Sequence, residues 1–479
     1  MTDTAPVPAA APASGGEFIW LYEKQAKIQA RSVSGWFSGW RWAFVWATQL
    51  VFYGLPWLTW NGRQAVLFDL AARRFYLGGL VLYPQDFIYL TALLIVSAYS
   101  LFLFTAVAGR LWCGYACPQT VWTKFFMWIE WLTEGDRNQR MRLDRGAWTG
   151  EKVLRKATKH AAWLLLAAVV GTTFVGYFIP IRQLLPRIAA FDLSASEWVF
   201  LAIASLALYA DAGWMREQIC KYACPYARFQ GAMFDDSTLT IVYDTSRGEP
   251  RGHRARTLDH RAAGLGDCID CGLCVHVCPT GIDIRDGTQY ECIGCAACID
   301  ACDEIMEEVG YPKGLVRYDT DEGLAGKGTR VLRPRLAGYG AVLSVMITLF
   351  GVALWHRLPL AVDVLRDRAR LYRETADGVE NVYTLKIMNK DQRAHTYAIS
   401  VEPAGTFVLD GPAHVDVAAG GIKDVPVRVR RPERPDERPD DRAYQPPSAP
   451  VTFAVRTTDG RDIAVREESR FLAPNRPKG

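Results

Sequence analysis

Eight cysteines near the middle of the chain repeat one spacing twice, and this repeat constrains the fold more than any other feature. The first copy is Cys268-x-x-Cys271-x-x-Cys274-x-x-x-Cys278, followed by Pro279. Two-residue gaps let three thiolates of one tight loop converge on a metal cubane, which takes its fourth thiolate from elsewhere. The second copy has the same gaps, at Cys292, Cys295, Cys298 and Cys302. The repeat therefore predicts a ferredoxin-like domain with two [4Fe–4S] clusters.

The spacing also predicts how the two copies share ligands, because the fourth cysteine of each copy serves the other cluster. One cluster would be held by Cys268, Cys271, Cys274 and Cys302, and the other by Cys292, Cys295, Cys298 and Cys278. A structural zinc site is the alternative, since paired C-x-x-C is also a zinc signature, but two complete copies favour clusters. His276 is interpreted as a packing residue over its cluster, and Asp303 takes the place of the proline without removing a ligand.

The remaining four of the twelve cysteines form a second internal repeat, Cys-x-Tyr-Ala-Cys-Pro in its shared form. The pairs are Cys113 with Cys117 and Cys220 with Cys224. Thiols at i and i+4 share one face of a helix, and the proline is expected to end that helix at the membrane boundary. Four soft thiolates suit Cu(I), zinc or a redox-active dithiol, whereas isolated cysteines pack as small apolar side chains. Because the pair is duplicated, we favour a functional site.

Apolar stretches predict an α-helical transmembrane bundle of about five spans. Four stretches approach the roughly 20 residues that cross a bilayer. They are residues 42–62, 87–109, 161–181 and 336–355. A fifth, residues 198–215, is interrupted by Asp211, which has either a partner or proton-transfer role or contact with headgroup water. Apolar residues from Val121 to Leu132 predict a helix in the membrane interface that covers the paired cysteines, or a helix packed against another span.

The charges of the loops predict the orientation of these spans. Residues 110–159 contain ten Lys or Arg, whereas residues 182–197 contain only Arg182 and Arg187. Cytoplasmic loops accumulate Lys and Arg, so the N-terminus and the cysteine segment are expected in the cytoplasm and the C-terminal domain in the periplasm of a bacterial inner membrane. Five arginines after the last span oppose this orientation, although long domains translocate regardless of charge. They are Arg357, Arg366, Arg368, Arg370 and Arg373.

The last third of the chain changes to alternating apolar and polar residues. Period-two runs at residues 382–387, 425–429 and 451–455 predict an antiparallel β-sandwich, with the Pro-rich residues 431–450 as a loop. Residues 1–16 lack secretory-signal features and are predicted to be a disordered tail.

Five segments follow from these patterns: an N-terminal cytoplasmic tail, four transmembrane helices with the first CxxxCP, a cytoplasmic segment with the second CxxxCP and the ferredoxin domain, a fifth transmembrane helix, and a periplasmic β-sandwich domain. Their expected bounds are 1–38, 39–215, 216–335 (ferredoxin domain about 258–312), 336–356 and 357–479.

With spans, a duplicated CxxxCP and a double ferredoxin motif in this order, the chain from about residue 35 resembles the CcoG family, also called FixG or RdxA. These are cytochrome c oxidase accessory proteins that end in an immunoglobulin-like domain. The resemblance implies assembly of a cbb-type oxidase through reduction of Cu(II) to Cu(I). It also implies oxidase subunits or copper-delivery proteins as partners, and a cytoplasmic or quinol electron donor. The copper-handling candidates that it implies are Cys113, Cys117, Cys220 and Cys224.

Three functions remain open from the sequence. The first is a membrane-bound cupric reductase. The second is a quinol-linked electron conduit, because NapH- and NosR-type proteins are similar in combining CxxxCP with ferredoxin motifs. The third is a copper chaperone or scaffold whose clusters are structural. A formal net charge of +4 in 479 residues gives no reason to expect nucleic acid as a partner.

Overall fold

The first membrane-proximal region is a helix, a group of short strands and a second helix. The computed structural model describes residues 27–255, 259–328, 333–367, 370–375, 378–432, 447–460 and 463–474. Its first elements are α1 (Trp36–Gly54), β1 (Thr59–Trp60), β2 (Arg63–Gln64), β3 (Val66–Asp69), β4 (Arg74–Leu77), β5 (Leu80–Leu82) and α2 (Phe87–Ala108). β1 and β2 form a hairpin, and β3, β4 and β5 form an antiparallel sheet in that order.

The structure corrects the bounds of the first predicted span. The helix begins at Trp36 and ends at Gly54 instead of covering residues 42–62. Pro56 lies in a short 3-10 turn directly after the helix, and Asn61 and Gly62 have positive φ in the turn between β1 and β2. An apolar run alone could not locate these breaks, because the side chains stay apolar after the helix has ended.

The second region contains the helices that carry and surround the first CxxxCP. They are α3 (Leu111–Tyr115), α4 (Pro118–Glu134), α5 (Arg137–Arg145), α6 (Gly150–Val175), α7 (Ile181–Ala189) and α8 (Ala195–Ala210), which continues as a π-helical turn (Asp211–Met215). α6 packs between α8 and α4. Trp163 of α6 is buried against Phe126 of α4, and its indole N–H donates to the Phe126 carbonyl at 3.0 Å.

Among the residues that the structure describes, four helical segments have the length and composition needed to cross a membrane. They are Pro84–Ala108, Gly150–Val175, Ala195–Met215 and Pro334–Trp355. The stretch 198–215 is thus one of the four, whereas the first predicted stretch, 42–62, corresponds to α1, which has 19 residues with Arg41 and Gln49 among its buried side chains and is not one of them. The chain is therefore a membrane protein with an apolar helical bundle.

The cysteine-rich segment follows the third of these helices. Its elements are a π-helical turn (Ile219–Ala223), α9 (Pro225–Gln230), β6 (Thr240–Tyr243), α10 (Thr245–Gly248), α11 (Leu273–His276), α12 (Ala297–Val309), β7 (Val316–Asp319) and α13 (Asp321–Leu324). β6 and β7 pair antiparallel, with Ile241 opposite Tyr318. The segment is joined to the bundle through Asp300 of α12, whose carboxylate accepts from the backbone N–H groups of Phe37 and Ser38 at 3.1 and 2.7 Å. Asp300 thereby caps the N-terminus of α1.

The last helix leads directly into a two-sheet β-sandwich. α14 (Pro334–Trp355) is followed by β8 (Leu360–Arg366), β9 (Arg373–Thr375), β10 (Gly378–Asn389), β11 (His395–Glu402), β12 (Val408–Asp410), β13 (His414–Val417), β14 (Ile422–Pro432), β15 (Ser448–Thr457) and β16 (Ala464–Leu472). One sheet has the order β12-β14-β10-β8 with β9 paired to β10, and the other has the order β13-β11-β15-β16. Alternate side chains such as Tyr383, Leu385 and Phe453 are fully buried between the sheets. The alternation therefore predicted the sandwich correctly.

The β3–β5 sheet and the sandwich meet at one end of the bundle. Asp86 is buried where α2 begins, and its carboxylate pairs with Arg357 at 2.6 Å and Lys390 at 2.7 Å. The Tyr83 hydroxyl donates to the backbone carbonyls of Asn389 and Gly420. Arg357, one of the arginines that opposed the predicted orientation, thus forms an ion pair with Asp86. Residues 1–16, Arg368 and residues 433–446 of the Pro-rich loop lie outside the described residues.

The Asp86 ion pairs give a test of how the sandwich is held. Asp86→Asn keeps the shape of the side chain but leaves two buried cations without a counter-charge, so we expect the free energy of unfolding to fall by about 3–5 kcal/mol. Thermal unfolding of the full chain in detergent measures this change. The exposed Glu467→Gln removes a carboxylate without a buried partner and serves as the control. Equal unfolding temperatures for the two variants would contradict the assigned role of Asp86.

Candidate metal centres

The first predicted ligand set surrounds one cavity. Cys268, Cys271 and Cys274 come from the loop before and inside α11, and Cys302 comes from α12. The loop can turn this tightly because Asp270 and Gly272 both have positive φ. The rest of the lining is largely apolar and includes Met306 and Leu315.

The second predicted set surrounds a neighbouring cavity. Cys292, Cys295 and Cys298 come from the second loop and the start of α12, and Cys278 comes from the first loop. Cys274 also reaches this cavity, so the two cavities are adjacent. The fold therefore brings together the same two sets of four thiols that the cysteine spacing predicted.

The environment of these thiols bears on what they can bind. Burial, followed by the influence of neighbouring thiols, raises the pKa of Cys302 to about 12, and burial also raises the pKa of Cys274 and Cys292 to about 12. Free thiols in these cavities would therefore be neutral at physiological pH. Thiolates persist in such surroundings when cationic iron balances their charge, and four sulfur donors in an apolar cavity are the donor set that a cubane cluster requires.

His276 and Asp303 lie near these loops and differ in their contacts. His276 is exposed, its backbone carbonyl accepts from the Arg31 N–H at 2.8 Å, and its ring lies beside Gly272 of the first cysteine loop, so its packing over the cluster stays a prediction. Asp303, which takes the place of the proline, accepts from the Gly314 backbone N–H at 2.8 Å. It ties α12 to the following loop and leaves the cysteines free.

The two CxxxCP pairs lie beside each other. Cys113 is buried and Cys117, Cys220 and Cys224 are half-buried. The pKa of Cys113 rises to about 12, mainly through burial, with Arg110 opposing the rise and the other three thiols adding to it. The pKa of Cys220 rises to about 11 through burial first and then through Cys117 and Cys224. The four thiols are therefore neighbours, although among the described residues no three His, Cys, Asp or Glu side chains lie close enough together to hold a single metal ion.

The prolines of the two pairs act differently from what the sequence predicted. Pro118 and Pro225 each occupy the first turn of a new helix, α4 and α9, instead of only ending the previous one. Proline suits this position because the first N–H groups of a helix have no intrahelical partner. Cys117 and Cys224 are consequently the residues just before these helices, in extended conformation.

The first CxxxCP loop touches the second ferredoxin loop through its backbone. A Cβ on Gly114 would lie 2.7 Å from both the Cys295 Cα and the Gly294 carbonyl oxygen, so only glycine fits. The neighbouring Cys113 packs in one apolar cluster with Ile293 and Cys295. No spacing rule in the sequence indicated this contact.

A guanidinium strengthens the same junction. Arg110 precedes the first pair and donates to the backbone carbonyls of Tyr290 and Cys292, the latter at 3.1 Å. The two backbone segments are therefore held by hydrogen bonds as well as by close packing.

Asp211 lies where α8 changes into a π-helical turn. Its side chain contacts Gln119 of α4, and its Oδ1 is buried without a hydrogen-bond partner in the described part of the chain. π-helical bulges are frequent at functional sites, which agrees with the partner role rather than with simple headgroup contact.

A buried ion network around Glu130 was not predicted from the sequence. Glu130 of α4 is fully buried and pairs with Arg140 at 2.8 Å and with Arg216 at 3.0 Å. Burial alone would raise the pKa of Glu130, but these cations and Lys27 lower it to about 2. The inner face of α4 also buries Val121 and Phe125, whereas Trp128 is exposed, so the helix both packs against the bundle and presents an interfacial side.

Three family models match separate parts of the chain. The model described as a 4Fe-4S dicluster domain matches residues 215–321, and one described as a 4Fe-4S binding domain matches residues 90–133. A third, described as an IG-like fold at the C-terminus of FixG, matches residues 350–474. Fold and site together define a membrane-bound iron–sulfur protein of the electron-transfer class.

Comparison with whole proteins identifies the family. The chain is 38% identical to the nitrogen fixation protein FixG of Rhizobium meliloti, over 83% of each chain. It is 40% identical to protein RdxA of Cereibacter sphaeroides, over 83% of this chain and 87% of that one. The ferredoxin-type protein NapH of Haemophilus influenzae is more distant, at 27% identity over 39% of this chain and 66% of NapH. The chain belongs to the FixG/RdxA family.

The crossed grouping of the cysteines predicts the outcome of removing one ligand. Cys302→Ser should abolish one cluster and keep the other, so that iron falls from about eight to about four atoms per chain. Iron analysis and EPR of the dithionite-reduced protein measure this. Asp303→Asn, at the next position of α12, keeps the acceptor for Gly314 and should retain full iron. Complete iron in Cys302→Ser would contradict the assigned set.

Proposed function

We propose that this protein is a membrane-bound cupric reductase that serves the assembly of a cbb-type oxidase. Cys268, Cys271, Cys274 and Cys302 hold one [4Fe–4S] cluster, and Cys278, Cys292, Cys295 and Cys298 hold the other. When bound, the clusters store and transfer single electrons. Cys113, Cys117, Cys220 and Cys224 bind copper as the substrate.

The observation that carries this proposal is the packing of Gly114 against Cys295. It leaves no side chain between the backbone of the first CxxxCP pair and a cysteine of the second set. An electron at the second set is therefore one backbone contact away from the paired thiols. A scaffold with structural clusters would not require such a close junction.

The chemistry of the four paired thiols supports copper as the acceptor. Soft sulfur donors favour Cu(I) over Cu(II), so binding at these thiols raises the driving force of the one-electron step from Cu(II) to Cu(I). A 4Fe-4S binding model also covers the first pair, and an iron–sulfur centre at the four thiols is the competing assignment. Metal analysis distinguishes the two.

The proposed orientation has the paired cysteines and the ferredoxin loops in the cytoplasm, and the sandwich in the periplasm, of a bacterial inner membrane. The excess of Lys and Arg in residues 110–159 supports this orientation. The proposed partners are subunits of the oxidase or copper-delivery proteins, with a cytoplasmic or quinol electron donor.

The central test is Cu(II) reduction by the purified full chain after anaerobic reduction of its clusters by dithionite and removal of the excess. Formation of Cu(I) is followed by a chromophoric Cu(I) chelator. The double variant Cys113→Ser with Cys224→Ser should lose this activity, because two of the four copper ligands are gone, and should keep its iron. Persistent copper reduction would place the copper site elsewhere, and a loss of iron would favour a cluster at the paired thiols.

The contact between the two loops gives a second test. In Gly114→Ala the new Cβ would meet backbone atoms at 2.7 Å, so the loops must separate. We expect copper reduction to slow by roughly 10- to 100-fold, the range for a displacement near 1 Å, while iron content stays complete. Gly150→Ala is the matched control, because nothing lies within 4 Å of a Cβ there. Equal rates in both variants would contradict the proposed electron path.

A further inference from the structure

A cavity of about 360 Å³ lies between the helical bundle and the ferredoxin loops. Its walls come from α1, α4, the segment before α1 and the loops that carry the second set of cysteines. Cys295 of the second set and Cys220 of the paired thiols both line it. Whatever binds here contacts both redox-active groups of the proposed function.

The polar groups in this cavity are mainly hydrogen-bond donors. The Lys124 ammonium lies 5.2 Å from the centroid of the Trp42 ring, and no carboxylate in the described part of the chain pairs with it. Arg216 Nη2 and Thr123 Oγ1 are buried without hydrogen-bond partners among the described residues, whereas Arg41 Nη2 lies 3.8 Å from the Asp300 carboxylate. Buried donors without acceptors are costly, so the groups together fit a ligand that brings acceptor oxygens.

Most of the charge in the lining is paired. Arg140 and Arg216 share the buried Glu130, and Arg41 lies 3.8 Å from Asp300. The carboxylates in the lining itself are Asp136 and Glu217. Lys124, which has no carboxylate partner among the described residues, is therefore the charged donor available to an oxygen ligand.

The remaining walls are largely aromatic. Trp42, Trp128 and Met127 line the cavity together with Trp131. Trp128 and Trp131 are 41% and 46% exposed on the outer side of α4. Tryptophan is typical of the level of the lipid headgroups, so a lipid-soluble ring could enter from the bilayer past these two residues.

We propose that this cavity binds the head group of a membrane quinol, which is the electron donor of the protein. The ring packs among the tryptophans, and its two oxygens accept from Lys124 and from the Nη2 group of Arg216. Oxidation of one quinol to quinone releases two protons to water and two electrons, which pass singly by way of the second set of cysteines. The two electrons reduce two Cu(II) to two Cu(I). Only the transfer of these electrons to copper rests on the proposed function.

A phospholipid headgroup offers similar acceptor oxygens and is the alternative source. The quinol is favoured because the cavity extends past the interface to Cys295 and Cys220, where a headgroup would have no role. Competition distinguishes the two ligands.

Binding is tested on the full chain in nanodiscs of neutral lipid, with an azido-ubiquinone as the photoaffinity probe. The label should map to α4 peptides around Met127 and Trp128. In Lys124→Met, loss of one charged donor should weaken labelling about tenfold. Lys313→Met, an exposed lysine paired with Glu307 outside the cavity, is the control. Equal labelling of Lys124→Met and the wild-type protein would overturn the site. Labelling that is abolished by anionic phospholipid but not by decylubiquinone would also overturn it.

Electron donation is tested without copper. Decylubiquinol and menadiol are added anaerobically to the oxidised protein, and cluster reduction is followed by EPR and visible absorbance. At least one should reduce the wild-type protein, and the rate should fall about tenfold in Lys124→Met, whereas reduction by dithionite should be equal in both. Binding without reduction by either quinol would overturn the donor role. Copper reduction by dithionite-reduced protein reports separately on the proposed function.

Discussion

The arrangement of this molecule depends on a backbone contact that admits no side chain. Gly114 of the first paired-cysteine loop lies directly against Gly294 and Cys295 of the second ferredoxin loop. Because Arg110 also donates to carbonyls of this loop, the two segments are held by packing and by hydrogen bonds at once. The ferredoxin loops are thus attached directly to the helical bundle, and the proposed electron path crosses this attachment.

Buried charge organises the region around this contact. Glu130 gathers Arg140, Arg216 and Lys159 from three different segments of the chain. A buried carboxylate is stable only with such partners, and each cation is held where it would otherwise be costly. Arg216 is held by Glu130 through Nη1, and its Nη2 remains without a hydrogen-bond partner among the described residues beside the cavity of the proposed quinol site.

Sequence patterns predicted what depends on local spacing. Cysteine gaps grouped the ferredoxin thiols, and period-two runs located the sandwich strands. They could not predict what depends on packing between distant segments, such as the contact of Gly114 with Cys295. The end of α1 was misjudged because the apolar run continues past Gly54, where the helix gives way to the 3-10 turn that contains Pro56. Arg41, one residue before the predicted span 42–62, belongs to the helix and pairs with Asp300 at 3.8 Å, as a charge in an apolar helix requires.

Asp300 has a consequence for how the chain matures. It lies on α12 between Cys298 and Cys302, and it accepts from the first N–H groups of α1. The first N–H groups of α1, the earliest helix of the bundle, therefore find their acceptor in a residue synthesised more than 250 positions later, within the cluster-binding helix. The cap of α1 is therefore present only while α12 is folded. A change that unfolds the cluster-binding helix also uncovers the first N–H groups of α1 and favours fraying at that end of the bundle.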